Sequence, residues 1–288
     1  MNQTFLAALW MTGAIVSFTS MAIAGRAISF ELDTFEIMMF RSFIGLAVVV
    51  TVATVTGHLK EVNTRNLGLH GIRNLSHFAG QNLWFYALTV IPLAQVFALE
   101  FTSPLWAIAL SALVLGERIT RTRGLAALLG FIGILIVARP TPDSVNIGQL
   151  TAALAAIGFA GSAIFTRKLT RTETITCILF YLTLMQAAFG IIAAGYDGDI
   201  TLPSTSSLPW LVLIALAGLV AHFCLTTALK LAPATVVMPI DFVRLPLIAV
   251  VGMLLYAEPL DPWVLLGAGV IFAANYLNIR AEVPRNQQ

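Results

Sequence analysis

Long runs of apolar residues alternate with short polar connections along the whole chain. A membrane-spanning helix needs about 20 predominantly apolar residues to cross a hydrocarbon core of about 30 Å. Prolines lie between several of the runs, because proline cannot donate a backbone hydrogen bond inside a helix. The pattern predicts an all-α integral membrane protein with ten transmembrane helices. The predicted helices lie near residues 4–28, 35–56, 69–90, 94–115, 122–139, 147–166, 175–195, 209–230, 234–256 and 262–280.

The second half of the chain repeats the first at a constant offset of 141 positions. Each half contains five of the predicted helices, and an odd number of crossings forces the second copy to lie upside down in the bilayer. The sequence therefore predicts two inverted five-helix repeats, residues 1–141 and 142–288. The pairs that carry the repeat are Phe18 with Phe159, Arg26 with Arg167, Pro92 with Pro233, Glu100 with Asp241, Phe101 with Phe242, Glu117 with Glu258, and Arg139 with Arg280.

Basic residues are distributed unequally between the two sets of helix ends. One set holds twelve, the other holds only Arg26 and Arg139, and Arg41 and Arg244 lie inside apolar stretches. Lysine and arginine accumulate on the cytoplasmic side of a membrane, so both termini are expected in the cytoplasm of a bacterial inner membrane protein. The twelve are Lys60, Arg65, Arg73, Arg118, Arg121, Arg123, Arg167, Lys168, Arg171, Lys230, Arg280 and Arg285.

The composition excludes several classes of protein. Hydrophobic residues make up 58% of the chain and charged residues 10%, against about 25% charged residues in a typical soluble domain. The net charge of +2 is too small to indicate a nucleic-acid partner. Cys177 and Cys224 each lie in an apolar run, where a small core residue is expected and not a disulfide or a metal pair. No P-loop, HExxH or GxSxG motif is present, so we expect no cofactor, no metal and no enzymatic activity.

Four charged residues lie inside the predicted helices: Arg41, Glu100, Asp241 and Arg244. A charge at the centre of a bilayer costs roughly 2.5–3.5 kcal/mol even on the most lenient scale, so it normally faces a partner or a cavity. One interpretation is a pair of structural salt bridges, Arg41 with Glu100 and Asp241 with Arg244. The other is a substrate site in which these charges contact the solute or exchange a proton. The sequence leaves both interpretations open.

Polar side chains of the third and eighth helices predict the wall of a water-filled cavity. His77 and Gln81 lie four residues apart on one helical face, and Trp84 lies three residues further on. His222 occupies the position equivalent to Gln81 in the second half. The alternative is ordinary hydrogen bonding between helices. Trp84 and Trp106 are the aromatic residues expected to lie deepest beside the cavity.

These sequence features resemble the drug/metabolite transporter superfamily, and more narrowly its EamA-type branch. The resemblance covers essentially the whole chain and implies a central cavity lined mainly by the third, fourth, eighth and ninth helices. It also implies transport of small organic solutes, often amino acids and often outward. The carboxylate in the fourth helix departs from many members. The segments that carry the resemblance are residues 40–42 (FRS), 98–106 (ALEFTSPLW), 115–117 (LGE), 138–140 (ARP), 241–247 (DFVRLPL) and 256–258 (YAE).

The leading hypothesis is therefore a secondary transporter that exports small polar or zwitterionic, amino-acid-like metabolites by alternating access. Glu100 and Asp241 would bind an amine or carry protons, and Arg41 or Arg244 would hold a carboxylate. An alternative is transport of a flat aromatic vitamin or cationic cofactor, riboflavin-like or S-adenosylmethionine-like, stacked on Trp84 or Trp106. A membrane-embedded enzyme or a regulator is the hypothesis from another class. The expected partners are a small-molecule substrate and the lipid bilayer, and the protein is expected to be a monomer or a homodimer.

Overall fold

The computed structural model describes residues 3–115, 121–139, 146–196, 198–233, 237 and 240–282. These residues form α-helices joined by short connections, with 3-10 turns at Leu59–Glu61 and Asp241–Val243. Predicted residues such as Glu117 and Arg118 lie outside the described part of the chain. The helices are α1 Gln3–Ile28, α2 Thr34–Val55, α3 Leu67–Val90, α4 Leu93–Glu100, α5 Ser103–Leu115, α6 Arg121–Ala138, α7 Ile147–Leu169, α8 Ile175–Ala194, α9 Leu208–Leu231, α10 Arg244–Tyr256 and α11 Pro262–Glu282.

Six of the described segments are long and apolar enough to cross a bilayer, which supports the predicted membrane protein. They are α1, α2, α7, α8, α9 and residues 93–110, which span α4 and part of α5. Helix α3 is 24 residues long, but its buried residues include several polar ones. A polar helix inside an apolar bundle is expected where the bundle encloses a cavity.

The helix boundaries follow the offset seen in the sequence. Helices α2 and α8 begin 141 positions apart, at Thr34 and Ile175, and the same offset separates the first residues of α3 and α9, of α5 and α10, and of α6 and α11. Helices α3 and α5 also end 141 positions before α9 and α10. The two halves of the chain therefore place their helices at equivalent positions.

The main helix contacts join one half of the chain to the other. Helix α1 packs along α9, α3 along α7, α2 along α8, and α6 along α11. The α3–α7 contact is close because glycines face each other: a Cβ added to Gly158 would lie 2.7 Å from the Gly80 Cα and 2.7 Å from the Ser76 carbonyl oxygen. Small residues allow such close approach between membrane helices. The halves thus form one interleaved bundle.

The fourth predicted helix is interrupted at Phe101 and Thr102, between α4 and α5. Pro104 follows the break, and a proline ring clashes with the carbonyl four residues earlier, which is that of Glu100. The hydroxyls of Thr102 and Ser103 donate to the carbonyls of Leu99 and Glu100, which replaces lost backbone bonds. In the second half, the turn Asp241–Val243 occupies the equivalent position before α10. Broken helices at membrane depth are tolerated where they line a cavity.

We call the end of the bundle at which α1 begins the near end, and the opposite end the far end. At the far end, Arg26 binds Glu258 and donates to the Ile91 carbonyl at 2.9 Å, and the Leu93 amide donates to Glu258 at 2.9 Å. These contacts link α1, α3, α4 and the residues after α10. Between these contacts and the centre of the bundle lies an apolar core that includes Leu88. The far end is therefore closed.

At the near end, polar residues before α3 bind the turn between α7 and α8. Glu173 accepts hydrogen bonds from the side-chain amides of Asn63 and Asn66. His70 and Cys177 lie beside it, with 3.9 Å between Nε2 and Sγ. Burial raises the pKa of Glu173, but the hydrogen bonds from Asn66, Asn63 and Cys177 and the nearby His70 together outweigh burial, so the net pKa is lower than usual. We interpret this cluster as a hydrogen-bonded connection between the two halves of the chain.

Candidate functional site

A cavity of about 80 Å³ lies at the centre of the bundle and extends toward the near end. Its wall comes from α1, α3, α7 and α9 together with the two helix breaks. Since a water molecule needs about 10–15 Å³ of such volume, the cavity is large enough for several waters. The lining residues of each half include Arg73, His77, Gln81, Trp84 and Glu100 from the first, and Phe159, Ser162, Thr166, His222, Thr226, Asp241 and Arg244 from the second.

The centre of the site is a three-residue charge cluster. Arg244 donates to Glu100 at 2.6 Å and also to Asp241. Three phenylalanine rings surround the guanidinium carbon, with centroids at 5.0 Å for Phe18, 4.7 Å for Phe97 and 5.6 Å for Phe101. Cation–π contacts of this kind stabilise a desolvated cation.

One of the two salt bridges predicted from the sequence is present. The pair Asp241 with Arg244 is present, but the pair Arg41 with Glu100 is wrong, because Arg244 takes Glu100 as its second carboxylate. Arg41 instead donates to the Met21 sulfur at 3.5 Å. Its guanidinium approaches α9 so closely that a Cβ on Gly218 would lie 3.3 Å from Nη2. Arg41 therefore lies against α1 and α9, and Glu100 is bonded to Arg244 and Trp84.

The two acidic residues at equivalent positions have different environments. Both oxygens of Glu100 are bonded, Oε1 to Arg244 and Oε2 to the Trp84 indole N–H at 2.7 Å. Asp241 uses one oxygen for Arg244, while its buried Oδ1 has no hydrogen-bond partner. A buried acceptor without a partner costs about 1–3 kcal/mol. Glu100 is therefore held in place, and Asp241 retains an acceptor for a ligand or a proton.

His77 and His222 face each other across the cavity wall. Their ring centroids are 4.6 Å apart, with an interplanar angle of 82°. Both nitrogens of His222, Nε2 of His77 and the side-chain nitrogen of Gln81 are buried without hydrogen-bond partners. Buried polar atoms are normally paired, so these three side chains present unused hydrogen-bonding groups beside the cavity.

The tryptophans predicted to line the cavity lie in different places. Trp84 lines it, but the ring is 1% exposed and packs edge-on against Phe85 and Phe97. Trp106 is half-buried beside a small apolar cluster with Ala160 and Ile164 and is not a lining residue. The accessible aromatic residues of the cavity are Phe18 and Phe159, which occupy equivalent positions in the two halves.

The remaining arginine of the prediction, Arg41, lies beside the main cavity. It lines a smaller pocket of about 10 Å³, enough for about one water. His222 lines both pockets and separates them. A residue that the sequence placed among the end charges, Arg73, is 2% exposed and lines the main cavity. The sequence signal for Arg73 is its position six residues after the first residue of α3. A charged side chain at that depth either contacts the lipid headgroups or is buried inside the bundle.

Comparison with known proteins identifies relatives across nearly the whole chain. The sequence profile of the EamA-like transporter family matches twice, over residues 5–139 and 146–280. A riboflavin transporter of Brucella anthropi is 32% identical over 85% of this chain and 88% of its own length. A riboflavin transporter of Vibrio cholerae is 30% identical over 92% and 89%. An S-adenosylmethionine uptake transporter of Rickettsia bellii is 27% identical over 95% and 93%.

The fold itself also has a counterpart among solved structures. One crystal structure superimposes with a TM-score of 0.68, at 18% sequence identity, over 94% of this chain and 95% of that chain. At this identity the match concerns the fold alone. The resemblance noted in the sequence is confirmed by the double profile match, and the chain belongs to the EamA-like transporter family.

Proposed function

We propose that this protein is a secondary transporter that takes up a vitamin or cofactor with a heterocyclic ring, of the riboflavin or S-adenosylmethionine type. The observation that carries the proposal is the central cavity, in which buried charges and unpartnered polar groups meet at two helix breaks. Polar groups are retained at membrane depth mainly where a solute passes. The names of the three relatives supply the class of solute.

The leading hypothesis from the sequence was an exporter of amino-acid-like solutes. The relatives give it no support, because they are named for riboflavin and for S-adenosylmethionine uptake. They favour the alternative, a ring-bearing vitamin or cofactor. The ring would pack on Phe18 and Phe159, since Trp84 is covered by its neighbours and Trp106 lies outside the cavity. Aromatic pairs of this kind contribute about 0.5–1.5 kcal/mol beyond the area they bury.

The transport cycle follows from the arrangement of the two halves. We take them as inverted five-helix repeats, with the near end in the cytoplasm of a bacterial inner membrane protein and both termini on that side. The cavity then faces the cytoplasm, and the Arg26–Glu258 contacts close the outer side. Rocking of the halves would break those contacts and open the outer side, as in other transporters built from inverted repeats.

Uptake by proteoliposomes tests the proposal. We expect saturable accumulation of radiolabelled riboflavin or S-adenosylmethionine, recovered unmodified, and no accumulation of labelled leucine. Asp241→Asn removes the carboxylate that faces the cavity and should abolish uptake. Asp261→Asn, in the half-exposed ion pair with Arg139 at the far end, is the matched control and should retain it. Uptake of leucine alone, or a chemically changed product, would contradict the proposal.

A further inference from the structure

Two buried arginines lack a carboxylate partner among the residues that the structure describes. Arg73 is 2% exposed and Arg41 is 6% exposed. Arg73 donates from Nε to the Thr166 hydroxyl at 3.0 Å and from Nη1 to the Asn74 side-chain oxygen at 2.7 Å. Arg41 has the Met21 sulfur as its bonded neighbour. All of these acceptors are neutral.

The contrast with Arg244 shows what is missing. Arg244 is equally buried, at 2%, but it contacts two carboxylates and three aromatic rings. Arginine remains charged in proteins, and a buried charge without a counter-ion is strongly unfavourable. The Arg244 cluster has two carboxylates and one guanidinium, so its formal charge is −1 when both acids are ionised. Arg41 and Arg73 leave two positive charges on the other side of the histidine pair.

The surroundings of Arg73 fit an anionic group. Its two bonds to Thr166 and Asn74 use two of the five guanidinium N–H donors. Ser162 and Thr226 line the same cavity and bring further hydroxyls to it. Guanidinium and hydroxyl donors together are the usual partners of carboxylate and phosphate oxygens.

We propose that Arg73, with the hydroxyls of Ser162, Thr166 and Thr226, forms an anion subsite that binds a carboxylate or phosphate of the transported solute. Arg41, behind His222, adds positive charge to this side of the cavity. The inference rests on the proposed function and narrows it: the solute carries an acidic group in addition to its ring. The subsite and the Arg244 cluster then recognise opposite ends of one molecule.

The first test needs no transported solute. The thermal unfolding of the purified protein in lipid nanodiscs is measured with sodium acetate and with sodium phosphate, at an ionic strength held constant with sodium chloride. Wild-type Tm should rise with either anion. Arg73→Gln should begin at a higher Tm than wild type and should not respond, while Arg65→Gln, an exposed arginine before α3, should behave as wild type. No response in the wild type, or an equal response in Arg73→Gln, overturns the subsite.

The second test uses two matched pairs of compounds: S-adenosylmethionine with its decarboxylated analogue, and riboflavin 5′-phosphate with riboflavin. Within each transported pair, wild type should bind the acid-bearing member about 10- to 100-fold more tightly, as expected for loss of one charge-assisted hydrogen-bond pair. Arg73→Gln should remove this preference, and Arg73→Lys should keep part of it.

The outcomes separate the two proposals. If none of the four compounds is taken up and the acetate response is present only with Arg73, the proposed function fails and the subsite stands. If a compound is taken up but Arg73→Gln shows the same preference, or the same lack of preference, between the two members of its pair as wild type, the subsite fails and the function stands.

Discussion

The two halves of this chain share a scaffold and differ in chemistry. Their helices begin at equivalent positions and both place an acid at a helix break, Glu100 in the first half and Asp241 in the second. The three buried arginines at or beside the cavity do not repeat: the equivalents of Arg41, Arg73 and Arg244 are Leu182, Ile214 and Ser103. Trp84, which binds Glu100, is matched by Leu225.

The repeated helices suit a conformational change, whereas the charges that do not repeat suit recognition of a solute. A pseudo-symmetric scaffold can exchange two similar conformations with similar free energies. A solute with distinct ends needs an asymmetric set of charges around it. The symmetric feature, the pair of acids, is itself made unequal by neighbours that do not repeat. Single substitutions in each half test this difference.

Arg244→Gln should have the largest effect on stability. It leaves Glu100 and Asp241 as buried carboxylates without their shared cation, a change that costs about 3–5 kcal/mol. Thermal unfolding in nanodiscs measures it. The control Arg139→Gln removes a half-exposed ion pair with Asp261 and should cost less than about 1 kcal/mol. Equal effects of the two variants would show that the central cluster does not hold the halves together.

Gly158→Ala should disrupt the contact between the halves. The added methyl group would meet the backbone of α3 at 2.7 Å, and such overpacking typically costs about 1–3 kcal/mol. Gly71→Ala is the matched control, since a Cβ there has no neighbouring atom within 4 Å. The same thermal measurement compares them. A Gly158→Ala protein as stable as the control would mean that α3 and α7 are not in close contact.

Trp84→Phe should weaken the hold on Glu100. It removes the indole N–H that donates to Oε2 at 2.7 Å, and a hydrogen bond to a charged group contributes about 1.5–3 kcal/mol. Trp10→Phe, which alters an edge-on contact with Phe223 at 5.6 Å, should have a smaller effect on Tm. In the Glu100→Gln background the Trp84→Phe effect should shrink, because the bonded carboxylate is then neutral. An undiminished effect would argue against the bond.

Phe18→Leu and Phe159→Leu compare equivalent positions directly. Phe18 lies over the Arg244 guanidinium at 5.0 Å, whereas Phe159 lies 6.1 Å from the His77 ring. Phe18→Leu should therefore cost about 0.5–2 kcal/mol more stability than Phe159→Leu, which is the size of a cation–π contact. Thermal unfolding of both variants gives the difference. Equal losses of stability in the two variants would show that these equivalent positions do not differ in their contribution.

The near-end cluster should give a small pH effect. Burial raises the pKa of Glu173, but hydrogen bonds from Asn66, Asn63 and Cys177 and the nearby His70 together lower it by more, so the net pKa is lowered. A lowered folded-state pKa stabilises the protein above the unfolded value of 4.5, and this contribution is lost as pH falls through the folded value. Wild type should therefore lose more stability than Glu173→Gln below about pH 4.5. Parallel pH profiles for the two proteins would exclude this role.

The helices could be predicted from sequence more readily than the contacts between them. Hydropathy located the stretches because each crossing must supply an apolar length. It did not locate the break after Glu100, since a hydropathy window does not register backbone hydrogen bonds, although Pro104 was a local signal. Arg73 was counted at a helix end because a one-dimensional pattern does not show which face of α3 meets the cavity.

Which charged residues form pairs depends on how the helices pack, and the residues around each charge in the sequence do not show that packing. Arg41 and Glu100 have compatible charges, but Arg41 lies against Gly218 of α9, and Glu100 is bonded to Arg244 and Trp84. Trp106 lies at a plausible depth, yet the rotation of α5 turns it toward Ala160 and Ile164. By contrast, the Asp241–Arg244 pair is local to one helical turn and was predicted.

We propose that the acids at equivalent positions have different roles: Glu100 holds Arg244, and Asp241 contacts the solute. The most direct measurement is the uptake rate per folded molecule in proteoliposomes for Glu100→Gln and Asp241→Asn, alongside their Tm values. We expect the uptake rate of Asp241→Asn to fall at least about tenfold, as for a lost charged contact, with a Tm near that of wild type. Glu100→Gln should have a lower Tm and retain most of its rate. Equal losses of rate in both variants, or a loss confined to Glu100→Gln, would contradict it.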